Sequence, residues 1–147
     1  MEGEEPVLTG VPRPWGGFHE RVLIVDGDPA YRDELASRLR SEGAETAGAA
    51  SGEEALKLLG TFEPTLVIAE LAMSGMDALE LSRRIRAEDA FRRLPILIMT
   101  SAEHSAEIGD VVGLGLIWYM RKGAAWRTIM RSLRNLAAHN KDLLPAV

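Results

Sequence analysis

Short apolar runs alternate with longer segments of helical period along most of this chain, from Arg21 onwards. The strand candidates are Val22 to Val25, Glu45 to Ala49, Leu66 to Ala69, Ile96 to Met99 and Leu116 to Met120. Most of these runs lack polar alternation, which predicts strands that are covered on both faces of a sheet. Alternation of such strands with helices predicts βα units on a parallel sheet.

The segments between the strands carry apolar residues at the spacing of a helix face. Helices are predicted over residues 29–42, 52–60, 77–88, 105–113 and 124–139. Asp28 followed by Pro29 favours a helix start. Ser51 and Glu54 form a capping box, and Asp77 is suited to cap the third helix. The pattern predicts an α/β fold, in which right-handed crossovers place helices on both faces of the sheet.

The two ends of the chain are predicted to be tails. Residues 1–19 are rich in proline and glycine, and their apolar residues follow neither the period of a helix nor that of a strand. This predicts a flexible N-terminal tail. Trp15 and Phe18 are the tail residues that can still dock on the body. One domain is expected over residues 20–139 and a C-terminal tail over residues 140–147, because 147 residues suit a single core.

Composition and charge narrow the class of protein. With 46% hydrophobic and 27% charged residues the chain is predicted to be globular, and its net charge of -5 argues against a general binder of nucleic acid or membrane surfaces. The absence of cysteine excludes disulfides, thiolate metal sites and thiol catalysis. No apolar run approaches the roughly 18 residues of a membrane span, and the start is acidic where a secretory signal is basic. The cytoplasm is therefore the expected location.

Four side chains with chemical potential follow predicted strands: Asp26, Glu70, Thr100 and Lys122. In an open parallel sheet the carboxyl ends of the strands meet at one edge, and ligands gather beyond it. A single acid after a strand is commonly only a helix cap, and a lone threonine or lysine indicates little. The joint placement is the signal, and it predicts a site with two acids, a hydroxyl and a cation.

With these residues in place, the chain resembles the receiver domain of two-component response regulators over about residues 20–139. The order, spacing and flanks match in four segments: Val22 to Asp26 with Asp28 and Pro29, Val67 to Asp77, Leu94 to Ala102, and Gly115 with Tyr119 to Lys122. The resemblance implies a flavodoxin-like fold with a doubly wound five-stranded parallel sheet in the order 2-1-3-4-5. It also implies a signalling protein and not an enzyme.

The resemblance assigns roles to the predicted site residues. In the family an aspartate ending the third strand accepts a phosphoryl group from a histidine kinase, and two acids after the first strand help to hold Mg²⁺. By position, Thr100, Tyr119 and Lys122 match the hydroxyl, the aromatic and the cation of the family's switch. Glu70 stands at the acceptor position. Only Asp26 remains of the acidic pair, because Gly27 stands where the second acid is expected.

These two departures argue against conventional aspartyl phosphorylation. A glutamate carries its carboxylate about 1.5 Å further along than an aspartate, and a displacement near 1 Å costs about a hundredfold in a reaction that depends on positioning. Mg²⁺ relies on carboxylate ligands, and Gly27 supplies none. Asp28 either substitutes as a ligand or caps the helix. Asp26 is the one expected contributor to a metal site, so Mg²⁺ binding is expected to be weak or absent.

Two interpretations of Glu70 stay open. Its carboxylate can take the place of a phosphoryl group beside Lys122 and Thr100, which would bias Thr100 and Tyr119 toward the phosphorylated arrangement. Alternatively, Glu70 and Lys122 form only a structural ion pair. The preferred function is a pseudo-receiver that signals by binding proteins. The alternatives are a receiver phosphorylated on Glu70 or a nearby acid such as Asp77, and a flavodoxin-like cofactor-binding protein.

The segment before Tyr119 is apolar and favours a partner surface. Ile117, Trp118 and Trp126 are predicted to form an exposed hydrophobic face. Such a face suits a protein partner, or a homodimer through the fourth helix, fifth strand and fifth helix. The alternative is that one or both tryptophans pack on the N-terminal tail. Neither nucleic acid nor a membrane is indicated as a partner.

Overall fold

The computed structural model describes residues 17–101 and 117–142, with side chains up to residue 138. Its five strands are β1 (Arg21–Val25), β2 (Glu45–Ala49), β3 (Leu66–Glu70), β4 (Ile96–Thr100) and β5 (Ile117–Arg121). Its α-helices in these ranges are α1 (Pro29–Ser41), α2 (Gly52–Phe62), α3 (Ala78–Arg86) and α4 (Trp126–Asp142). A single 3-10 turn (Asp89–Phe91) follows α3. The predicted helix over residues 105–113 lies outside the described residues, so α4 is the fifth predicted helix.

The strands form one sheet in the order β2-β1-β3-β4-β5, and every neighbouring pair is parallel. This confirms the flavodoxin-like, doubly wound fold that the sequence predicts. Near the carboxyl edge the paired residues are Val25 with Ala69, Glu70 with Met99, and Thr100 with Arg121. The register therefore brings the ends of β1, β3, β4 and β5 to the same edge.

Two hydrophobic cores cover the two faces of the sheet. Leu23 and Val67 belong to the core beneath α2 and α3, whereas Ile24 and Ile68 belong to the core beneath α1 and α4. Successive strand residues point to opposite faces, so each strand contributes side chains to both cores. This explains why the strands read as uninterrupted apolar runs.

The predicted helix caps are present in the structure. Side-chain oxygens of Asp28, Ser51 and Asp77 accept backbone N–H groups in the first turns of α1, α2 and α3, respectively. A cap satisfies donors that the helix itself leaves unpaired. Each cap therefore sets the point where the chain leaves the sheet edge and enters a helix. No helix in the described ranges is long and apolar enough to cross a bilayer.

Phe18 docks on the body of the domain. The sequence indicates it as one of the two tail residues that can do so. Its side chain is 3% exposed, its N–H donates to the carbonyl of Glu42 at 2.7 Å, and the Arg134 guanidinium lies 5.7 Å from its ring centroid. Phe18, a residue of the predicted tail, therefore packs on the body of the domain. At the other end α4 runs to Asp142, into the predicted C-terminal tail. Trp15 lies outside the described residues.

Candidate functional site

Three of the predicted site residues meet at the carboxyl edge of the sheet. Asp26 follows β1, Glu70 ends β3 and Lys122 follows β5. Lys122 Nζ lies 2.6 Å from Glu70 Oε1 and 2.8 Å from Asp26 Oδ2. The two carboxylate side chains are 9% and 5% exposed, respectively. One ammonium therefore bridges two buried carboxylates, and these three residues are called the ion cluster below.

Backbone N–H groups hold the remaining oxygens of both carboxylates. Asp26 Oδ1 accepts the N–H of Asp28 at 2.9 Å, and Glu70 Oε2 accepts the N–H of Ala72 at 3.2 Å. Hydrogen bonds to charged groups are stronger than those between neutral groups. Every carboxylate oxygen of the cluster thus has a partner, which is what stabilises two acids in a buried site.

Tyr31, in the first turn of α1, borders the ion cluster. Lys122 Nζ lies 4.1 Å from the centroid of its ring, and its hydroxyl lies 3.5 Å from Met99 Sδ. Sequence analysis did not single out Tyr31. Its position could have indicated a role, because Tyr31 lies one helical turn after Asp28, on a helix that starts at the carboxyl edge of the sheet.

The surroundings of Lys122 and Tyr31 shift both pKa values upward. Burial lowers the pKa of Lys122, but the hydrogen bonds with Asp26 and Glu70 and their negative charges outweigh it, so the pKa lies above its usual 10.5. Burial raises the pKa of Tyr31 above its usual 10.0, with Lys122 acting in the opposite direction and the two carboxylates in the same one. At neutral pH the site therefore contains an ammonium and an uncharged phenol.

The residues at the end of β1 do not fit a Mg²⁺ site. Asp28 Oδ1 accepts the N–H of Ala30 at 3.0 Å, so this oxygen of Asp28 serves as the helix cap. Asp26 is engaged on both oxygens, and Arg32 Nη1 donates to the Asp26 carbonyl at 2.6 Å, which brings a second cation to this residue. Among the described residues no group of three or more acidic or histidine side chains is placed to hold a metal. Mg²⁺ needs several oxygen ligands, and this donor set lacks them.

The two predicted switch residues, Thr100 and Tyr119, lie on neighbouring strands. Thr100 ends β4 and is 5% exposed, and its carbonyl accepts the N–H of Lys122 at 2.9 Å. Tyr119 is half-buried and packs against the core beneath α2 and α3. The strand register thus places Thr100 beside Lys122. A contact between Glu70 and the Thr100 hydroxyl stays a prediction.

The predicted exposed face at Ile117, Trp118 and Trp126 is correct only for Trp118. Trp118 is 37% exposed, whereas Ile117 is half-buried against the core beneath α2 and α3. Trp126 is also half-buried. Its Nε1 donates to Glu42 Oε2 at 3.3 Å, and the guanidinium of Arg38 lies 5.1 Å from its ring centroid. Trp126 ties α4 to α1, and its exposure was wrongly predicted.

A basic face on α4 was not predicted from the sequence. Arg127, Arg131 and Arg134 are exposed, and their spacing places them on one side of the helix. Arg134 lies 3.5 Å from Glu42 Oε1. No acidic residue occurs between Trp126 and Ala138, so this stretch of α4 itself adds no negative charge to the face. The sequence contains the pattern that would have predicted this face, because the arginines lie on the side of the helix opposite its apolar residues.

Known proteins resemble this chain in both sequence and fold. The family model described as the response regulator receiver domain matches residues 22–134. The "Regulator of RpoS" of Escherichia coli K12 is 37% identical over 97 residues, which are 66% of this chain and 28% of that protein. The "DNA-binding response regulator MtrA" of Mycolicibacterium smegmatis is 30% identical over 127 residues, which are 85% of this chain and 54% of that protein. The chain spans about half or less of the length of these relatives.

Two solved structures have the same architecture. The chemotaxis protein CheY4 of Vibrio cholerae aligns with a TM-score of 0.75 and 23% identity, over 81% of this chain and 99% of that one. A response regulator from Chloroflexus aurantiacus aligns with a TM-score of 0.74 and 30% identity, over 82% of this chain and 99% of that one. Both alignments cover about four fifths of this chain and nearly all of the other one.

Proposed function

The chain belongs to the response regulator receiver domain family, and we propose that it is a pseudo-receiver, which signals by contacts with proteins and without aspartyl phosphorylation. The observation that carries the proposal is the 2.6 Å ion pair between Lys122 and Glu70. Glu70 ends β3, where the resemblance places the phospho-acceptor. The acceptor position is thus occupied by a carboxylate that is already bound to the cation of the site.

The ion pair opposes transfer of a phosphoryl group. A phosphoryl group on Glu70 would have to form its own ion pair with Lys122. The ion pair between Lys122 and Asp26 would then be weaker. Breaking a buried ion pair costs on the order of a few kcal/mol, because the remaining charge loses its compensation. The charge of the incoming group must also be neutralised during transfer, and the donor set around Asp26 does not suit Mg²⁺. Both effects act in the same direction.

Glu70 acts as a fixed stand-in for a phosphoryl group. Its carboxylate presents a negative charge to Lys122 at all times, so the cluster has one ionic arrangement without a modification step. A carboxylate carries one negative charge, whereas a phosphoryl group carries about 1.5 to 2. We therefore infer that Glu70 biases Thr100 and Tyr119 only partly toward the arrangement that phosphorylation favours in the family.

Output passes through a protein partner that binds the side of the sheet covered by α4. Exposed Trp118 and the arginine face of α4 provide the residue types that dominate binding energies at interfaces. The arginine face favours a partner with acidic groups. It disfavours a two-fold homodimer that stacks α4 on α4, because arginines would then face arginines. A different protein is therefore the preferred partner, ahead of a second copy of the chain.

Phosphorylation of Asp77, the alternative acceptor, has less support. Its Oδ1 accepts the N–H of Glu80 at 2.9 Å and caps α3. Asp77 therefore already has a structural role as the cap of α3. Glu70 itself remains the alternative acceptor that the test must address.

The proposal is tested with a small phosphodonor. The protein is incubated with acetyl phosphate and Mg²⁺, and its intact mass is measured beside a receiver with a complete acidic site as positive control. We expect the mass of this chain to stay unchanged while the control gains a phosphoryl group. Stoichiometric, acid-labile phosphate would refute the proposal, and peptide mapping would then assign it to Glu70 or Asp77. A visible absorption band in the purified protein would support the cofactor-binding alternative.

A further inference from the structure

We propose that Tyr31 is a positioning residue, which covers the open side of the Lys122 ammonium and holds it between Glu70 and Asp26. The inference rests on the proposed function, because it concerns the same ion cluster. It is nevertheless tested on Lys122 alone, without phosphate transfer.

The contacts of Lys122 leave one side of its ammonium for the ring. An ammonium group has three N–H donors. Glu70 and Asp26 accept at 2.6 Å and 2.8 Å, respectively. The Tyr31 ring centroid lies 4.1 Å from Nζ, inside the roughly 6 Å range in which an aromatic face attracts a cation. In the described part of the chain, two carboxylates and one ring therefore lie against the ammonium.

The ring of Tyr31 is held at both ends. Its backbone belongs to the first turn of α1, whose start is set by the Asp28 cap. Its hydroxyl lies 3.5 Å from the sulfur of Met99, a residue of β4 that is 1% exposed. The ring therefore cannot swing away from Lys122 without losing the contact with buried Met99.

An uncharged aromatic residue suits the charge of this cluster. Two carboxylates and one ammonium sum to one negative charge, so a third acid beside Lys122 would add repulsion within a buried site. The face of an aromatic ring attracts the cation through its quadrupole and adds no net charge. Burial also raises the pKa of Tyr31, which keeps the phenol neutral near physiological pH.

Closure by Tyr31 limits access to Lys122. A phosphoryl oxygen or a reagent that approaches Nζ from the side of Tyr31 must displace the ring. Tyr31 is thus an obstacle to a ligand of Lys122 that is independent of the length of Glu70. A residue that only filled space would be replaced by leucine without effect on Lys122, whereas the proposed role needs the aromatic face.

The test measures how fast Lys122 reacts with an amine-acylating reagent. The chain has three lysines, Lys57, Lys122 and Lys141, and Lys57 on α2 is exposed, so it serves as an internal reference. The whole chain is treated with the N-hydroxysuccinimide ester of acetate, and site-resolved mass spectrometry follows the rate at Lys122 relative to Lys57. Tyr31→Phe keeps the ring, whereas Tyr31→Leu and Tyr31→Met keep much of the bulk and lose the aromatic face.

We expect the Lys122 to Lys57 ratio in Tyr31→Phe to stay within about twofold of wild type and that in Tyr31→Leu to rise about fivefold. Circular dichroism identifies the folded variants, and Tyr31→Met replaces Tyr31→Leu if the latter does not fold. Equal ratios in the phenylalanine and the aliphatic variant would overturn the assignment of Tyr31. Failure of the pseudo-receiver proposal would instead appear as phosphate on the wild-type protein, with the lysine ratios unaffected.

Discussion

Glu70 and Lys122 form an ion pair of 2.6 Å although their strands are not neighbours in the sheet. β4 lies between β3 and β5, so the two backbones are roughly 10 Å apart at about 4.8 Å per strand. Two long side chains are needed to meet across that gap. An aspartate at position 70 would end about 1.5 Å shorter, which leaves the space that a phosphoryl group needs. The extra methylene thus turns an acceptor position into one arm of an ion pair.

Replacing Glu70 by glutamine should destabilise the protein. Among the described residues, the variant leaves Asp26 as the charged partner of Lys122, and it brings an amide NH2 group next to the ammonium. We expect the free energy of unfolding to fall by about 1 to 3 kcal/mol, as measured by urea denaturation. Glu88→Gln is the matched control, because Glu88 is exposed and makes no side-chain cap. An equal effect in both variants would contradict a stabilising role of the cluster.

Stability should decline at alkaline pH because of Lys122. Its pKa is higher in the folded protein than the usual 10.5, so the folded state binds the proton more tightly than the unfolded chain. The resulting stabilisation is complete below 10.5 and is lost as the pH rises through the raised pKa. Tyr31 acts with the same sign from 10.0 upward. Denaturation curves should show a shallower decline for Lys122→Met than for wild type in this range, and parallel curves would argue against the assignment.

Aspartates at both position 27 and position 70 should allow metal binding. A Cβ atom at Gly27 would meet only the Ala50 carbonyl oxygen at 3.8 Å, which is an ordinary contact. Gly27→Asp is therefore sterically tolerated, and Glu70→Asp frees space beside Lys122. We expect the double variant to bind Mg²⁺ in a fluorescence titration, while wild type shows no saturable change. The two single variants are the controls, and a double variant without metal binding would shift the cause to the loops.

The two tryptophans near α4 should differ in their contribution to stability. Trp118→Ala removes an exposed side chain and is expected to change the free energy of unfolding by less than about 0.5 kcal/mol. Trp126→Ala removes a half-buried indole, its hydrogen bond to Glu42 and its contact with Arg38. A loss of about 2 kcal/mol is expected. Urea denaturation of both variants under one condition checks the difference, and equal losses would contradict it.

Charge reversal on α4 should weaken partner binding more than reversal elsewhere. Arg127→Glu combined with Arg131→Glu changes the exposed basic face. Arg83→Glu combined with Arg84→Glu makes the same change of charge on α3, where both arginines already pair with Glu80. For a partner identified by cross-linking to wild type, isothermal titration should give at least a tenfold loss of affinity only for the α4 pair. A loss that is equal for both pairs would indicate a general charge effect.

The fold was readable from the sequence because its signals are local. Val22 to Val25 and Leu66 to Ala69 are apolar without interruption, as strands covered on both faces require, and Asp28, Ser51 and Asp77 cap the helices that follow. The burial of Phe18 did not follow from the sequence pattern of the N-terminal tail. Phe18 is buried although its neighbours in sequence suggest a tail, because the surface that receives it lies between distant segments, at Glu42 and Arg134.

The sequence by itself determined the strands, the helices and their caps through local pattern, and its resemblance to receiver domains supplied the strand order, the acceptor position at Glu70 and the missing acid at Gly27. Tertiary structure alone decided that Asp26 and Glu70 share one ammonium, that Tyr31 covers it, and that Trp126 ties α4 to α1 while Trp118 stays exposed. Those contacts join segments far apart in the chain. Their geometry depends on strand register, side-chain length and helix packing, which act together only once the sheet has formed.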